Sequence, residues 1–266
     1  MSETLLIRVH GNPTLPCLVH IPGIHGDWTL IQGFRAALSS RVCFVEITYP
    51  RTLEWTLDDY AEAILRALHQ AGISSAWLIG ESFGSQPVWS IMSRRDRSLR
   101  VEGIILAGGF VKYPAPGLLN IVKWFFARIR AKSLSGFWGL YRLYSGFRFR
   151  QNKAALQAVD EFVARRTELD MQAISHRMNL ISANDPRSIV RETREPVYAL
   201  TGLVDPVVPA WPVVVWLKRF CPGFTGSKVI LSADHNVLGT APEASVEMVL
   251  EWMEFNPATG GQNLPR

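Results

Sequence analysis

The most reactive pattern in the sequence is Gly80-Glu81-Ser82-Phe83-Gly84, a serine with a glycine two residues to either side. The apolar residues before it predict a strand, and a helical pattern follows it. Glycines at these positions permit a tight strand-to-helix turn. Such a turn would present the Ser82 hydroxyl near a helix N-terminus, where backbone N–H groups favour negative charge. A serine between two glycines is common by chance, so the prediction of a functional motif rests mainly on the strand before it and the helix after it. The sequence predicts that Ser82 is a nucleophile.

A serine hydroxyl is a weak nucleophile until a base takes its proton. His235, in the segment SADHNVL, is expected in a loop after the last predicted strand, at the same sheet edge as Ser82 if the strands are parallel. Asp205, in GLVDPVVP, follows the preceding strand and is expected to orient the imidazole. Asp185 is the alternative acid, whereas Asp234 adjoins His235 and is expected to point away from its ring. The sequence thus predicts the chain order Ser82, Asp205, His235.

Acyl transfer builds negative charge on a carbonyl oxygen, which two backbone N–H groups usually stabilise. The N–H of Phe83 is the first expected donor, because this residue follows the nucleophile. The N–H of Ile24 is the second, because Gly23 allows the loop after the strand 17–21 to turn there.

Three further residues are candidate substrate contacts. His25, in the same loop, is expected to donate to the oxyanion in place of Ile24, to contact the substrate, or only to hold the loop by a hydrogen bond. Glu81, inside the serine motif, and Trp28, at the end of the loop, complete the set.

Apolar runs bounded by turn residues alternate with helical patterns along the chain. The runs predict strands at 17–21, 42–47, 76–80, 103–109, 197–202 and 228–232. A further run at 5–9 is a candidate edge strand. Because the runs are almost continuously apolar, we expect a mostly parallel, doubly wound sheet with helices on both faces, which is an α/β fold.

Two helices carry clear end signals. Thr56 with Asp59 is expected to cap the helix that follows, and Gly72 is expected to end it. Thr240 with Glu243 predicts a second capping box, at the start of the last helix.

Residues 111–190 show helical patterns and no convincing strand. The sequence therefore predicts one α/β domain, formed by residues 1–110 and 191–256, with a helical cap inserted at 111–190. The tail at 257–266 is expected to be flexible.

Four segments of the chain resemble the α/β-hydrolase superfamily. They are PGIHGD, GESFGS, GLVDPVVP and ADHNVL, which together span the core from about 16 to 255. The resemblance implies a cap inserted after the strand GIILAGG and a triad of Ser82, Asp205 and His235. The loop at residues 22–24 reads Pro-Gly-Ile, close to the loop of some thioesterase-like members and unlike the more frequent H-G-x. Members include esterases, lipases, thioesterases, C–C hydrolases and a few non-enzymes, so the resemblance leaves the substrate open.

The segment 112–159 is basic and aromatic. It contains nine Lys or Arg, ten aromatic residues and no Asp or Glu. Three interpretations compete. In the first, the aromatic side chains pack on the core and the cations are solvated; in the second, the segment lies on an anionic membrane surface; in the third, it guides an anionic or amphiphilic acyl substrate to Ser82. Nucleic-acid binding is not expected, because no recognised motif accompanies the charge.

The overall composition fits a folded domain. The 266 residues are 48% hydrophobic and 19% charged, with a net charge of +5. The three cysteines lack paired spacing, and no apolar stretch approaches the roughly 18 residues that a membrane span needs. The sequence predicts a cytoplasmic protein, with attachment to the periphery of a membrane as the alternative.

These patterns together predict a serine hydrolase that cleaves a carboxylic ester or thioester through an acyl-enzyme on Ser82. No metal and no organic cofactor is implied. The expected partner is a small-molecule or lipid-like acyl substrate. The alternatives are C–C bond hydrolysis or acyl transfer with the same residues, and a non-catalytic membrane-associated binder on the same fold.

Overall fold

The structure is a computed structural model that describes residues 4–38, 40–96, 98–126, 139, 142–144, 146 and 153–254. Within these residues seven strands form one sheet, in the order β1-β3-β2-β4-β5-β6-β7. The strands are β1 (Leu6–His10), β2 (Cys17–Ile21), β3 (Cys43–Thr48), β4 (Ser75–Glu81), β5 (Arg100–Ala107), β6 (Val197–Val204) and β7 (Phe224–Asp234). β1 runs antiparallel to β3, and every other pair is parallel. The predicted mostly parallel sheet with one leading edge strand is confirmed.

Helices cover the sheet on both faces. The helices in the described residues are α1 (Gln32–Leu38), α2 (Leu57–Gln70), α3 (Ser85–Ser93), α4 (Pro116–Phe126), α5 (Lys153–Ala164), α6 (Glu168–Ala183), α7 (Arg187–Glu192), α8 (Ala210–Phe220), α9 (Val237–Thr240) and α10 (Pro242–Glu254). Two short 3-10 helices, Thr29–Ile31 and Ser82–Gly84, precede α1 and α3.

Each face of the sheet carries its own apolar layer. Leu78 of β4 packs in the layer that includes residues of α2 and α3, and the next residue, Ile79, packs in the layer that includes residues of α1 and α10. Both side chains are fully buried. Because successive side chains of a strand point to opposite faces, a strand covered on both faces needs apolar residues at every position.

The predicted ends of α2 are confirmed. Thr56 and Asp59 form a reciprocal capping box, in which each side chain accepts a hydrogen bond from the other residue's backbone N–H. Gly72 follows the helix with a φ of +75° and donates its N–H to the carbonyl of His69, 3.0 Å away.

The predicted cap of the last helix is wrong. Thr240 is the final residue of α9, and its hydroxyl donates to the carbonyl of Asn236 at 2.9 Å. The last helix, α10, begins only at Pro242. Because the hydroxyl of Thr240 serves the short helix before it, Thr240 and Glu243 do not form a capping box.

The described part of the chain between β5 and β6 contains the helices α4 to α7, with loops between them, and no strand. Much of the basic aromatic segment, including residues 127–138 and 147–152, lies outside the described residues, as does the tail at 257–266. The limits of the inserted cap remain a prediction. No helix in the described ranges combines the length and the apolar character that crossing a bilayer demands.

Candidate active site

Ser82 lies in a strained turn between β4 and α3. Its φ is 50°, the one positive φ at a non-glycine residue among those described. Such a conformation costs about 1–3 kcal/mol, so its surroundings must hold it. The Ser85 hydroxyl donates to the carbonyl of Ser82 at 2.7 Å. Gly84 allows the turn to approach β2, because a Cβ at Gly84 would lie 2.1 Å from the carbonyl oxygen of Ile21.

One hydrogen-bonded chain joins the three residues expected to act together. Nε2 of His235 lies 2.9 Å from Oγ of Ser82, and Nδ1 of His235 lies 2.8 Å from Oδ2 of Asp205. The Asp205 side chain is 2% exposed, and its Oδ1 accepts the N–H groups of Val207 and Val208 at 2.8 Å each. Because a carboxylate only accepts hydrogen bonds, Nδ1 of His235 carries the proton and Nε2 faces the hydroxyl as an acceptor.

The two other acids considered for this role are bonded elsewhere. Asp185 accepts hydrogen bonds from Arg187 and, at 2.9 Å, from Lys112, and the bonds from Arg187 hold the pKa of this carboxyl well below its ordinary value. Asp234 turns its Oδ1 to the backbone N–H of Asn236, 3.0 Å away. The structure pairs His235 with Asp205 instead.

Ser82 and His235 form part of the wall of a cavity of about 290 Å³. Much of the remaining wall is apolar, and it includes Ile24, Leu30, Ala158, Val159, Pro206 and Val207. The acidic groups in the wall are Glu81 and Asp234, and its described part contains no Lys or Arg.

The two expected oxyanion donors adjoin Ser82. Ile24 lines the cavity, and the preceding Gly23 packs so closely that a Cβ there would lie 3.6 Å from Cβ of Ser82. A hydrogen bond from the N–H of Gly26 to the carbonyl of Gly23, 3.0 Å long, closes the loop into a turn. Phe83 follows Ser82 directly, and its side chain is fully buried.

His25 lines the same cavity as a neutral ring. It packs edge-on against Phe162, with ring centroids 4.7 Å apart. Burial, together with the nearby positive charge of Arg166, lowers the pKa of His25 to about 4. A neutral imidazole can donate or accept a hydrogen bond at neutral pH without adding charge to the cavity.

The other two candidate contacts differ in position. Glu81 lines the cavity and accepts a hydrogen bond from Nε2 of His20 at 3.0 Å. Trp28 is not among the cavity residues, because its ring lies under the guanidinium of Arg8, 3.5 Å from the ring centroid, with Arg35 also above it. These cation–π contacts hold Trp28 beside β1 and away from Ser82.

Three cations of the basic aromatic segment have described side chains with partners inside the chain. Lys112 pairs with Asp185 at 2.9 Å, Lys123 donates to Ser182 at 3.2 Å, and Arg142 pairs with Asp160 at 2.9 Å. An aromatic residue of the segment, Tyr144, lines the cavity near Asp234, with its hydroxyl 3.4 Å from Oδ2.

Sequence reasoning missed two residues near the site. His20 lies in the predicted strand 17–21 and is not among the predicted site residues, although a histidine inside an apolar run is itself a signal of a buried polar contact. Arg177, which donates to the carbonyl of Ile24 at 2.8 Å, is also not among them. Its signal was its spacing from Ile174 and Ile181, which places an arginine on the apolar face of α6.

Comparison with known proteins agrees with this architecture. A hydrolase from Pseudomonas aeruginosa PA01 superposes with a TM-score of 0.74 at 16% identity, covering 94% of each chain. An esterase from Rhodococcus sp. ECU1013 superposes with a TM-score of 0.75 at 17% identity, covering 95% of each chain. An enol-lactonase from Burkholderia xenovorans LB400 superposes with a TM-score of 0.73 at 18% identity, covering 94% of this chain and 96% of its own. At these identities the likeness shows the fold.

The sequence itself was compared with curated proteins and with family models. No curated protein matches it. The model of the alpha/beta hydrolase family matches residues 9–248, which is most of the chain and includes Ser82, Asp205 and His235. The chain therefore belongs to the alpha/beta hydrolase family.

Proposed function

We propose that this protein is a serine hydrolase that cleaves a carboxylic ester or thioester through an acyl-enzyme on Ser82. The observation that carries the proposal is the single hydrogen-bonded chain from Ser82 through His235 to Asp205, set in the wall of a largely apolar cavity. A nucleophile, a base and an orienting acid at these distances are the groups that acyl transfer requires.

The reaction begins when Nε2 of His235 takes the proton of Ser82 and Oγ attacks the substrate carbonyl carbon. The N–H groups of Ile24 and Phe83 hold the resulting oxyanion. His235, its charged form stabilised by Asp205, gives the proton to the departing alkoxide or thiolate. Water then attacks the acyl-enzyme while Nε2 of His235 takes its proton. The acid leaves as Oγ of Ser82 recovers that proton.

The cavity favours an uncharged acyl group of modest size. Its volume of about 290 Å³ lies at the lower end of the range for small-molecule sites. Glu81 and Asp234 supply negative charge to the described wall, and no cation there balances an anionic substrate. Of the structural neighbours described above, one is named an esterase and one an enol-lactonase, and both names are compatible with an ester bond.

The test is a panel of p-nitrophenyl esters and acyl thioesters of increasing chain length, together with labelling by a fluorophosphonate. We expect labelling at Ser82, turnover of short uncharged acyl groups, and loss of both in Ser82→Ala. Turnover that survives in Ser82→Ala would contradict the acyl-enzyme. A wild-type protein that is neither labelled nor active would favour a non-catalytic binder.

A further inference from the structure

Arg177 of α6 is buried beneath the loop that carries Ile24. Its residue exposure is 2%. Its guanidinium donates to the carbonyl of Ile24 at 2.8 Å, to the carbonyl of Pro50 at 2.9 Å and to the hydroxyl of Tyr60 at 3.1 Å. These acceptors are neutral, and no carboxylate of the described residues forms an ion pair with Arg177. A buried charge without a counter-charge is costly, so its hydrogen bonds must be matched closely to the loops that it touches.

The loop holds its shape through a small set of contacts. The N–H of Tyr49 donates to the carbonyl of Gly26 at 2.8 Å, and the Tyr49 hydroxyl donates to the carbonyl of Pro22 at 3.2 Å. Gly26 has a φ of +79°, and a Cβ there would lie 2.8 Å from Nη1 of Arg177. A side chain at this position would therefore strain the backbone and press against the guanidinium. The bond from Arg177 is the one that fixes the peptide oxygen of Ile24 itself.

The same guanidinium also lies close to the two tyrosines that pack against Phe83, the second expected oxyanion donor. The ring of Phe83 packs edge-on against Tyr49 and Tyr60, with centroids 6.0 and 5.7 Å apart. The guanidinium carbon of Arg177 lies 5.2 Å from the Tyr49 ring centroid and 6.0 Å from that of Tyr60. Arg177 thus contacts the loop of Ile24 directly and the side-chain packing of Phe83 through two tyrosines.

We propose that Arg177 is the positioning residue of the oxyanion hole. It holds the backbone of Ile24 by a hydrogen bond, and it fixes Tyr49 and Tyr60, on which Phe83 packs. Its positive charge, which forms no ion pair with a described carboxylate, favours the negatively charged transition state over the neutral substrate. The proposal rests on the proposed function, because it assigns Arg177 a part in forming the acyl-enzyme at Ser82. Interactions that act mainly in the transition state affect kcat more than KM.

The test replaces the side chain in two ways. Arg177→Met removes the charge and the hydrogen bonds, and we expect kcat to fall by about 100-fold, with KM changed by less than about threefold. Arg177→Lys keeps the charge but loses the forked geometry of the guanidinium. Its kcat should therefore lie between that of the wild type and that of Arg177→Met. Active sites are counted by fluorophosphonate titration, so that kcat refers to folded protein with a reactive Ser82. The affinity for an alkyl boronic acid, which mimics the tetrahedral state, should weaken in proportion to kcat/KM.

Arg51→Gln is the matched control. Arg51 also bonds to α6, through Nε to Oδ1 of Asp170 at 2.7 Å, and among the described hydrogen bonds it makes none to the Ile24 loop. We expect its kcat per active site to equal that of the wild type. Gly26→Ala should displace the guanidinium and reproduce the kcat loss. If Arg177→Met does not fold, Tyr60→Phe carries the test, because it removes one acceptor and should lower kcat by about threefold to tenfold.

A wild-type kcat per active site and unchanged boronic acid affinity in the Arg177 variants would overturn the proposal. So would an equal kcat loss in Arg51→Gln, since that would show a general effect of loosening α6. These outcomes leave the proposed function intact as long as the wild type is labelled at Ser82. A wild type that neither reacts with the fluorophosphonate nor turns over an ester would overturn both proposals.

Discussion

The imidazole of His235 bridges two side chains that the chain supplies from distant positions. Asp205 meets it at Nδ1, and both oxygens of that carboxylate are engaged, since Oδ1 also accepts two backbone N–H groups at 2.8 Å each. An acid held at both oxygens cannot rotate away, so it fixes one tautomer and one orientation of the ring. The amides of Val207 and Val208 are therefore as much a part of this geometry as the carboxylate.

Replacing Asp205 by Asn should lower kcat for ester hydrolysis by about 10⁴-fold, because the amide favours the wrong tautomer of His235. The matched control is Asp185→Asn, which removes a carboxylate bonded to Lys112 and Arg187 and should leave kcat unchanged. Both are measured by steady-state kinetics on protein whose thermal unfolding matches the wild type. Equal losses in the two variants would exclude Asp205 as the specific orienting acid.

His25 predicts a pH-dependent stability. Its pKa is about 4 in the folded protein, against an ordinary value of 6.5, because burial disfavours the charged ring. Between these values the unfolded chain binds a proton that the folded protein does not. The free energy of unfolding should therefore fall as the pH falls from 6.5 to about 4, by up to about 3 kcal/mol.

The measurement is urea unfolding at a series of pH values. His25→Gln should flatten the pH dependence in this window, whereas His69→Gln should leave it unchanged, because His69 is exposed at the end of α2. A wild-type slope that persists in His25→Gln would assign the effect to another group.

The pairing of these residues was predictable, because parallel strands bring their carboxyl ends to one edge, and Ser82, Asp205 and His235 each directly follow one of these strands. The position of Trp28 was not predictable in the same way. Its ring packs against the guanidinium of Arg8, which lies on β1, whereas Trp28 lies in the loop after β2. A contact between side chains of separate elements has no period or motif that marks it in a sequence.

Among the secondary-structure elements, the turn between β4 and α3 requires a residue without a side chain at Gly84. Its φ of −55° is ordinary for any residue, yet a Cβ would lie 2.1 Å from one carbonyl oxygen and 2.8 Å from another. Gly72 is the opposite case, with a φ of +75° and nothing within 4 Å of an added Cβ. One glycine is thus required by packing and the other by backbone conformation.

Gly84→Ala should therefore lower the free energy of unfolding by about 3 kcal/mol or more and abolish fluorophosphonate labelling of Ser82. Gly72→Ala should cost only about 1 kcal/mol and keep full labelling. Urea unfolding and labelling of both variants provide the comparison. A larger loss of stability in Gly72→Ala would show that backbone strain outweighs crowding in this fold.

The ends of helices show what sequence patterns can and cannot decide. Thr56 and Asp59 were recognised because both halves of their capping box are local and no other helix competes for them. Thr240 failed as a cap because α9, only four residues long, ends on it and takes its hydroxyl. So short a helix has too little periodicity to be predicted.

For the molecule as a whole, a buried ion pair joins the segment between β5 and β6 to the sheet domain. Arg166 bonds to Asp27 in the loop after β2, and the two side chains are 2% and 16% exposed. Burial alone would raise the pKa of Asp27, but the charge and the hydrogen bond of Arg166 lower it below its ordinary value. The Asp27 carboxylate thus depends on Arg166 to remain charged while buried, whereas Arg166 also lies 3.8 Å from Oδ1 of Asp170.

Arg166→Met should therefore lower the free energy of unfolding by about 3–5 kcal/mol, since it leaves the Asp27 carboxylate buried and unpaired. The double variant Arg166→Met with Asp27→Asn should recover part of this loss, because no charge then remains without a partner. Urea unfolding measures both. If the double variant is no more stable than Arg166→Met, the cost arises from lost packing of the Arg166 side chain against Phe162.

The class of fold and the order of its parts could be read from the alternation of apolar runs and helical patterns, because that alternation repeats along the chain. The hydrogen bonds and ion pairs between the inserted segment and the sheet domain could not be predicted, because they link residues more than a hundred positions apart. The bond between Arg166 and Asp27 and the bonds of Arg177 are of this kind.

Arg177 also bears on how such proteins can be recombined. It is encoded between β5 and β6, yet its donors end on loops that follow β2 and β3. A chimaera that exchanges residues 111–190 for the corresponding insert of a relative, in order to change substrate range, would remove the arginine and leave its three acceptors without a donor. The insert should therefore be transferred together with Gly26 and Tyr60. A chimaera whose junctions follow only the strand boundaries would combine the new pocket with a less firmly held Ile24 loop beside Ser82.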